Sequence, residues 1–381
     1  MSTRLSIICI WVCFISLLVL GVVMVASTGL SAPPTENVAP ESYLYKQCGF
    51  ALLGLGIALV VSRVDYHRLR PWVWWIWGIC CFLLFCCYLP VVGKTLNGES
   101  RWISIGITFQ PSELAKICLM LALADWYTTH REMAATVWKG FILPGIIFAI
   151  PLALILFEKD MGTTAALAMS GFCLMYTAGT RTWVLLLTIL LAALALYVMT
   201  TGSANRMERI EAWFDPQAFS QGAGRQQWIS MLAFARGGTF GVGLGDGIEK
   251  YGNLPFAHTD FIFAEIGEEW GFVGTVGVLM LFTIMTLSGI IMALQTQDTF
   301  GRLLATGLVC TIFWPAVLNM MVVTSILPNS GLPLPFISYG GTNLVFTIAA
   351  IGFLTSIQRH TPVVKQNYWP RRRRAENPKL K

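Results

Sequence analysis

Charged side chains are scarce in this sequence: Asp, Glu, Lys and Arg make up only 12% of its 381 residues, and histidine occurs four times. Hydrophobic residues make up 55%, which is more than a soluble globular domain of this length contains. The net charge of +6 forms no basic stripe interleaved with aromatic residues before the C-terminal tail, so nucleic-acid binding is excluded. These absences define a membrane protein.

The usual signatures of metal and nucleotide sites are also missing. The ten cysteines lie in or beside apolar runs, and no set of His, Cys and Asp residues has the spacing of a structural zinc site. The glycine-rich loop, residues 237–247, lacks the preceding strand and the following Lys and Ser/Thr of a nucleotide-binding loop. One interpretation of it stays open, in which its backbone N–H groups approach a lipid-borne phosphate.

Apolar runs of the length that spans a bilayer recur along the whole chain. They predict an all-α polytopic membrane protein with ten transmembrane helices and a long extracytoplasmic loop, about 200–260, between helices 7 and 8. We expect one transmembrane domain, 1–358, followed by a basic cytoplasmic tail, 359–381. The predicted spans are about 6–26, 45–62, 72–92, 111–127, 137–157, 162–179, 182–199, 261–294, 301–326 and 341–358.

The distribution of Lys and Arg between the spans predicts the orientation. With both termini in the cytoplasm, sixteen of these residues lie inside and nine outside, and five of the nine are in the long loop. An excess of Lys and Arg in the cytoplasmic segments is the rule for such proteins. We interpret Arg371 to Arg374 in the tail as a topology determinant.

One stretch, 251–274, places His258, Asp260, Glu265 and neighbouring carboxylates at the start of an apolar run. A charge at the centre of a bilayer costs roughly 2.5–3.5 kcal/mol on insertion scales, so such residues usually mark function. Asp260 has two interpretations at this point. It is either a functional carboxylate or the N-cap of the helix that follows.

Two further polar groups lie on the predicted outer side. Glu113 and Lys116 are i,i+3 neighbours at the start of a span and form either a structural ion pair or part of a site. The short turn of Glu158, Lys159 and Asp160 holds two carboxylates, which we interpret first as a solvated turn.

The segment 328–342 contains three prolines and three glycines at membrane depth. Such a backbone cannot form an ordinary helix, so it must be buried in protein or line a cavity. We therefore predict that it is re-entrant, and we refer to it as the re-entrant segment.

Several motifs together resemble the SEDS family of bacterial shape, elongation, division and sporulation proteins. The motifs are Arg101-Trp102, FQPSELAK at 109–116, the D-x-G-T turn at 160–163, GLGDGIEK at 243–250, LPFAHTDFIFAEIGEEWG at 254–271 and GLPLPFISYGGT at 331–342. The pieces at 209–216, 233–238 and 257–260 resemble the division members more than the elongation members. Lys159, Phe256 and Ile229 depart from the usual family pattern.

The resemblance implies a peptidoglycan glycosyltransferase that polymerises lipid II, by inverting transfer with an undecaprenyl diphosphate leaving group, at the outer face of the inner membrane during septal synthesis. It implies a catalytic role for Asp260 as general base, because a sugar hydroxyl does not ionise at neutral pH. A divalent cation, Mg or Mn, is expected without assigned ligands. Substrate binding is expected of Arg101, Trp102, Glu113, Lys116, Asp160, His258, Ser338 and Tyr339.

The expected partners are a class B penicillin-binding transpeptidase and other divisome proteins. Two alternatives from other functional classes remain, a lipid II flippase and a non-catalytic divisome scaffold. A flippase favours charged residues along a continuous transmembrane path, whereas a scaffold has no need of a polar group at the outer face.

Overall fold

The computed structural model describes residues 3–29, 41–89, 93–96, 99–105, 107–201, 204–251, 254 and 257–361 of the chain. Phe256 and the basic tail with Arg371 to Arg374 lie outside the described residues. A 3-10 helix, Tyr66–Trp72, leads into α3, and a π-helical turn, Trp138–Ile142, leads into α5. The α-helices are α1 (Thr3–Gly29), α2 (Glu41–Arg63), α3 (Val73–Cys86), α4 (Pro111–Thr129), α5 (Leu143–Phe157), α6 (Met161–Ala178), α7 (Thr182–Thr201), α8 (Ala204–Phe214), α9 (Arg225–Gly237), α10 (Ile262–Glu269), α11 (Gly271–Gln295), α12 (Thr299–Val323) and α13 (Gly341–His360).

Seven helices among the described residues are long and apolar enough to cross a membrane: α1, α2, α3 with its 3-10 turn, α5 with its π-turn, α11, α12 and α13. The other three predicted spans coincide with the helices α4, α6 and α7, which are not among the seven. For α4 the reason is visible in the sequence, because Glu113, Lys116 and Asp125 lie within it.

A small sheet, which the all-α prediction did not include, precedes α4. Its strands are β1 (Gly93–Leu96), β2 (Glu99–Ile105) and β3 (Ile107–Phe109), and both strand pairs are antiparallel. Ile103 packs against Cys86 and Cys87 at the end of α3. The sheet therefore lies at the end of the helix bundle. Pairing between its strands satisfies their own backbone N–H and C=O groups.

The helix α4 forms the centre of the bundle and packs against α3, α6 and α12. Every residue from Ala115 to Ala124 is buried. This burial explains why α4 tolerates Glu113 and Lys116, since both contact protein rather than lipid.

Polar contacts are concentrated at the two ends of the bundle. At one end Arg70 Nε lies 2.9 Å from Asp125 Oδ1, and Tyr66 Oη donates to Asp298 Oδ2 at 3.0 Å. At the opposite end Asn319 contacts the backbone of Asp260. Residues predicted to face the cytoplasm, such as Arg70, are thus separated from Asp260 by the length of the bundle.

The re-entrant segment is non-helical from 328 to 340, and its apolar residues are buried, as predicted. Phe336 reaches the middle of α1, where its ring packs edge-to-face against Phe14 at 5.1 Å. A Cβ on Gly21 would lie 2.6 Å from Phe336 O, so only glycine admits this approach. Phe336 has φ +67, an unusual conformation for a bulky residue that the surrounding packing must hold.

Candidate functional site

The turn 257–260 is fixed to the re-entrant segment through its backbone. Tyr339 N donates to His258 O at 2.9 Å, and Ser338 Oγ donates to Thr259 O at 2.6 Å. Ser338 Oγ also accepts from Leu334 N at 2.7 Å, so this hydroxyl joins both sides of the contact. The position of Asp260 is therefore set by a segment that lies some seventy residues further along the chain.

Asn319, whose side-chain amide is buried in α12, also hydrogen-bonds to this turn. Its Nδ2 donates to Asp260 O at 2.7 Å and to Leu332 O at 2.6 Å. One side chain thus ties the turn to the re-entrant segment a second time. The buried Leu332 carbonyl would otherwise be left unsatisfied, which costs about 1–3 kcal/mol, and the partly buried Asp260 carbonyl would lose its donor as well.

The N-cap interpretation of Asp260 is wrong. The helix α10 begins at Ile262, and Phe261 rather than Asp260 occupies its N-cap position. Asp260 thus lies one residue before the N-cap. A Cβ on Gly331 would lie 3.5 Å from Asp260 Oδ2, which places the carboxylate directly against the re-entrant segment.

Aromatic rings surround His258. Its ring centroid lies 4.8 Å from that of Tyr43 and 5.8 Å from that of Tyr339. Burial lowers the pKa of His258 below its usual value of 6.5, so the imidazole is neutral at pH 7. A neutral imidazole adds no positive charge beside Asp260 and keeps one ring nitrogen as an acceptor.

A second polar group forms around the turn 158–160. Arg101 Nη1 lies 3.8 Å from Asp160 Oδ2, and Arg101 Nη2 donates to Lys159 O at 3.0 Å. Asp160 caps α6, because its Oδ1 accepts from Thr163 N at 3.0 Å. Gln110 Nε2 lies 3.5 Å from Asp160 Oδ2. Asp160 thus has a structural role in addition to the binding role expected from the resemblance.

The solvated-turn interpretation of this segment is wrong, because Glu158 and Asp160 are each only 2% exposed. Neither carboxyl oxygen of Glu158 makes a hydrogen bond of standard geometry in the described part of the chain. Burial and the neighbouring Asp160 raise the pKa of Glu158 to about 8, while the Cys87 thiol and Arg101 oppose the shift. Glu158 is consequently protonated at neutral pH, which lowers the cost of its burial.

The re-entrant segment connects this group to Asp260. A Cβ on Gly162, in the first turn of α6, would lie 2.5 Å from the Leu332 side chain and 2.9 Å from Ser330 O. Gly331, between these two residues, faces Asp260. The segment 330–332 therefore lies between the Arg101 group and Asp260.

Glu113 and Lys116 are paired, as the spacing predicted. Lys116 Nζ lies 2.9 Å from both carboxyl oxygens of Glu113, and both residues are buried. Trp102 pairs with Lys94 in the sheet and is half-buried. The described contacts do not join either of these groups to Asp260.

The remaining carboxylates of the 251–274 stretch hold the glycine-rich loop in place. Glu268 accepts from Ile248 N at 3.0 Å and from Glu249 N at 3.2 Å. Glu269 Oε1 lies 2.6 Å from Lys250 Nζ and accepts from Ser27 Oγ at 2.6 Å. The anion that occupies the backbone N–H groups beside this loop is therefore the chain's own Glu268, which argues against the phosphate-binding interpretation.

Glu265 is fully buried in α10, outside the seven apolar spans, and neither of its oxygens has a hydrogen-bond partner among the described residues. Burial raises its pKa to about 8, and Glu268 and Glu269 add to the shift while Lys250 opposes it. Its protonated form is therefore the stable one at neutral pH.

The described part of the chain contains no group of three or more His, Cys, Asp or Glu residues arranged to hold a metal ion. Magnesium, however, is commonly bound by one or two carboxylates together with substrate phosphates. A cation of this kind fits Asp160 or Asp260 better than it fits the protonated Glu158.

Sequence reasoning missed three contributors to the site, namely Asn319, Gln47 and Tyr43. Gln47 Nε2 donates to Ser338 O at 3.3 Å, and Tyr43 packs against His258. The available signal for Asn319 was an amide within the apolar run of α12, since a buried polar group in a span requires partners. Gln47 and Tyr43 gave no comparable signal.

The fold and this site together define a polytopic helical membrane protein in which a carboxylate turn is fixed against a buried, non-helical segment. The sequence profile of the FtsW/RodA/SpoVE family of cell cycle proteins matches residues 7–362. The chain belongs to this family, the SEDS proteins.

Relatives and solved structures agree with that assignment. The "Probable peptidoglycan glycosyltransferase FtsW" of Geobacter sulfurreducens is 36% identical over 345 residues, which cover 90% of this chain and 92% of that protein. A chain from the structure "Structural coordination of polymerization and crosslinking by a peptidoglycan synthase complex" has a TM-score of 0.78 at 27% identity and covers 92% of this chain and 96% of its own. The Thermus thermophilus rod shape determining protein RodA has a TM-score of 0.67 at 26% identity, with 92% and 95% covered.

Proposed function

We propose that this protein is a peptidoglycan glycosyltransferase that polymerises lipid II at the outer face of the inner membrane during septal cell-wall synthesis. The observation that carries the proposal is the placement of Asp260. Its turn is fixed by hydrogen bonds to the re-entrant segment and to Asn319, and Phe261 rather than Asp260 occupies the N-cap position of α10. The FtsW relatives support the same activity.

Asp260 acts as the general base. It accepts the proton of the acceptor sugar hydroxyl as that oxygen attacks the anomeric carbon of the donor, and the lipid diphosphate leaves from the opposite face. The hydrogen-bonded backbone around Asp260 supports this role, because fixed geometry is what a positioned base requires. The neutral His258 beside it leaves the carboxylate without a competing cation from this ring.

The leaving diphosphate requires positive charge. Arg101 lies beside Asp160, on the other side of segment 330–332 from Asp260, whereas the described contacts of Lys116 are with Glu113. Arg101 is therefore the better placed candidate for the diphosphate. A bound Mg²⁺ or Mn²⁺ would add charge neutralisation, held by the phosphates with Asp160 or Asp260.

We further propose ten spans, with α4, α6 and α7 added to the seven, both termini in the cytoplasm, and a class B penicillin-binding transpeptidase as partner. The basic residues at the end of the bundle opposite Asp260 support this orientation. The synthase complex with the similar chain supports the partner.

The flippase alternative has less support. It requires polar groups along a continuous path, but in α4 the residues from Ile117 to Ala124, between Lys116 and Asp125, are all buried and apolar apart from one cysteine. A scaffold, in turn, does not require a carboxylate turn that is fixed in this way by hydrogen bonds.

The deciding experiment uses the purified protein with fluorescently labelled lipid II, and products are separated by gel electrophoresis. We expect a ladder of glycan strands that disappears when EDTA removes divalent cations and returns on adding Mg²⁺ or Mn²⁺. If the protein and its transpeptidase partner together give no polymer, the proposal fails.

A further inference from the structure

Apolar side chains are exposed on the glycine-rich loop, which lies outside the seven apolar spans. Phe240 is 82% exposed and Leu244 is 55% exposed, with Val242 exposed between them. Exposed apolar clusters on a loop usually mark a contact with a membrane or with another protein. Neither the glycosyl transfer nor the site around Asp260 uses these side chains.

The loop is attached rigidly to the first turn of α11. Phe272 N donates to Gly238 O at 2.9 Å, and Val273 N donates to Thr239 O at 3.1 Å. A Cβ on Gly241 would lie 2.1 Å from Glu269 O, so this approach requires glycine there. Phe240 therefore keeps a fixed position relative to α11.

The depth of that position follows from the length of α11. Its 25 residues span about 37 Å at a rise of 1.5 Å per residue, which exceeds the roughly 30 Å hydrocarbon core of a bilayer. The first turn of α11 therefore lies near one membrane interface. Phe272 and Val273 in that turn are exposed, and they continue the apolar surface of the loop.

The loop carries a single charged side chain, Asp246, which is exposed. Arg236, the residue before the loop, contacts Glu249. The exposed apolar side chains of the loop adjoin the first turn of α11, one of the seven helices that are long and apolar enough to cross a membrane.

We propose that the glycine-rich loop is a membrane-interface anchor, in which Phe240 and Leu244 insert between the head groups and the first acyl methylenes of the leaflet on the Asp260 side. The anchor holds the loop against α10, through the bonds to Glu268 and Glu269, and so limits movement of the segment that follows Asp260. The occupant is lipid rather than a partner protein, because the loop surface is continuous with that of α11. The proposal depends on the membrane-spanning fold and not on the proposed enzymatic activity.

The test places the fluorescent amino acid dansylalanine at 240, 244 or, as the matched control, at 246 in the full-length protein. Each variant is reconstituted alone into phosphatidylcholine nanodiscs whose acyl chains carry bromine either near the head group or near the chain end. Unaltered melting temperatures show that the fold is retained, since all three side chains are exposed.

An interfacial segment lies about 5–10 Å into the boundary between head groups and acyl chains, so bromine near the head group should reduce emission at 240 and 244 about twofold. Emission at 246 should change little, and chain-end bromine should quench less at every position. Quenching at 240 and 244 no stronger than at 246 would overturn the anchor. Shielding of position 240 only in native membranes, without quenching in nanodiscs, would point to a protein partner and would also overturn it.

Discussion

The sequence around Asp260 fits two interpretations, a helix N-cap and a functional carboxylate, and only the structure distinguishes them. An aspartate before an apolar run is a good N-cap by sequence, yet Phe261 occupies the N-cap position of α10. The structure therefore removes the N-cap interpretation and leaves Asp260 as a functional carboxylate.

Asp260→Asn should lower glycan synthesis by about 10²-fold or more, because it removes the base and keeps the shape of the side chain. Insertion and thermal stability should be retained, since the Asn319 contact is to the backbone of residue 260. The measurement is polymer formed per minute by purified protein. Glu113→Gln serves as the contrast: it leaves Lys116 buried without its partner and should lower the amount of folded protein as well. Full polymerisation by folded Asp260→Asn would contradict the assignment.

Glu265 links stability to pH. The folded protein holds the Glu265 proton up to a pKa of about 8, whereas the unfolded chain releases it near the usual value of 4.5. Between these values the folded state binds more protons, so the free energy of unfolding falls as pH rises. Each pH unit in that interval lowers the free energy of unfolding by at most on the order of 1 kcal/mol.

Glu265→Gln should therefore raise the melting temperature of the detergent-solubilised protein at pH 8 and above, and should flatten its decrease between pH 5 and 8. The glutamine side chain does not ionise, so the folded state no longer has to bury a charge at this position as the pH rises. Glu132→Gln, at an exposed position, is the matched control and should leave the pH profile as it is. An unchanged profile in Glu265→Gln would show that Glu265 is already ionised in the folded protein.

At the scale of elements, the re-entrant segment and α12 act as one unit. The prolines and glycines of 328–342 predicted a non-helical backbone, but not where its carbonyl groups find donors. Asn319 supplies one of those donors from a helix that precedes the segment. Hydropathy alone cannot identify the contact between Asn319 and Leu332 O, because it depends on the direction in which α12 presents the Asn319 side chain.

Asn319→Leu keeps a similar volume and removes both hydrogen bonds. The buried carbonyl of Leu332 and the partly buried carbonyl of Asp260 then lose their donor, so we expect a loss of about 1–3 kcal/mol for the buried group and lower polymerisation. Melting temperature and synthesis rate are both measured. Asn343→Leu is the control, because the Asn343 side chain contacts Thr347 within its own helix. Normal synthesis by Asn319→Leu would show that the turn does not depend on this amide.

At the scale of the whole molecule, the charged groups separate into two ends. The ion pair of Arg70 and Asp125 lies at one end, and Asp260 with the re-entrant segment lies at the other. The excess of Lys and Arg predicts that the Arg70 end faces the cytoplasm.

Reporter fusions test this orientation. An alkaline phosphatase fusion after Gly224 should be active and one after Lys365 inactive, because the enzyme folds only outside the cytoplasm, and a cytoplasmic reporter should give the reverse result. Expression of both fusions is compared by immunoblot. A cytoplasmic signal at Gly224 would overturn the orientation and, with it, the site of lipid II polymerisation.

The sequence by itself determined the membrane class, most helices, the non-helical backbone of 328–340 and the pairing of Glu113 with Lys116, because hydropathy, proline content and i,i+3 spacing are local properties of a chain. It did not reveal the sheet before α4, the burial of Glu158, or the role of Glu268 as the anion beside the glycine-rich loop. Those features depend on contacts between segments far apart in sequence. The free energy of a carboxylate differs between water and a packed interior, and the residue type is the same in both. Only the tertiary structure therefore decided which carboxylates are buried, paired or available for catalysis.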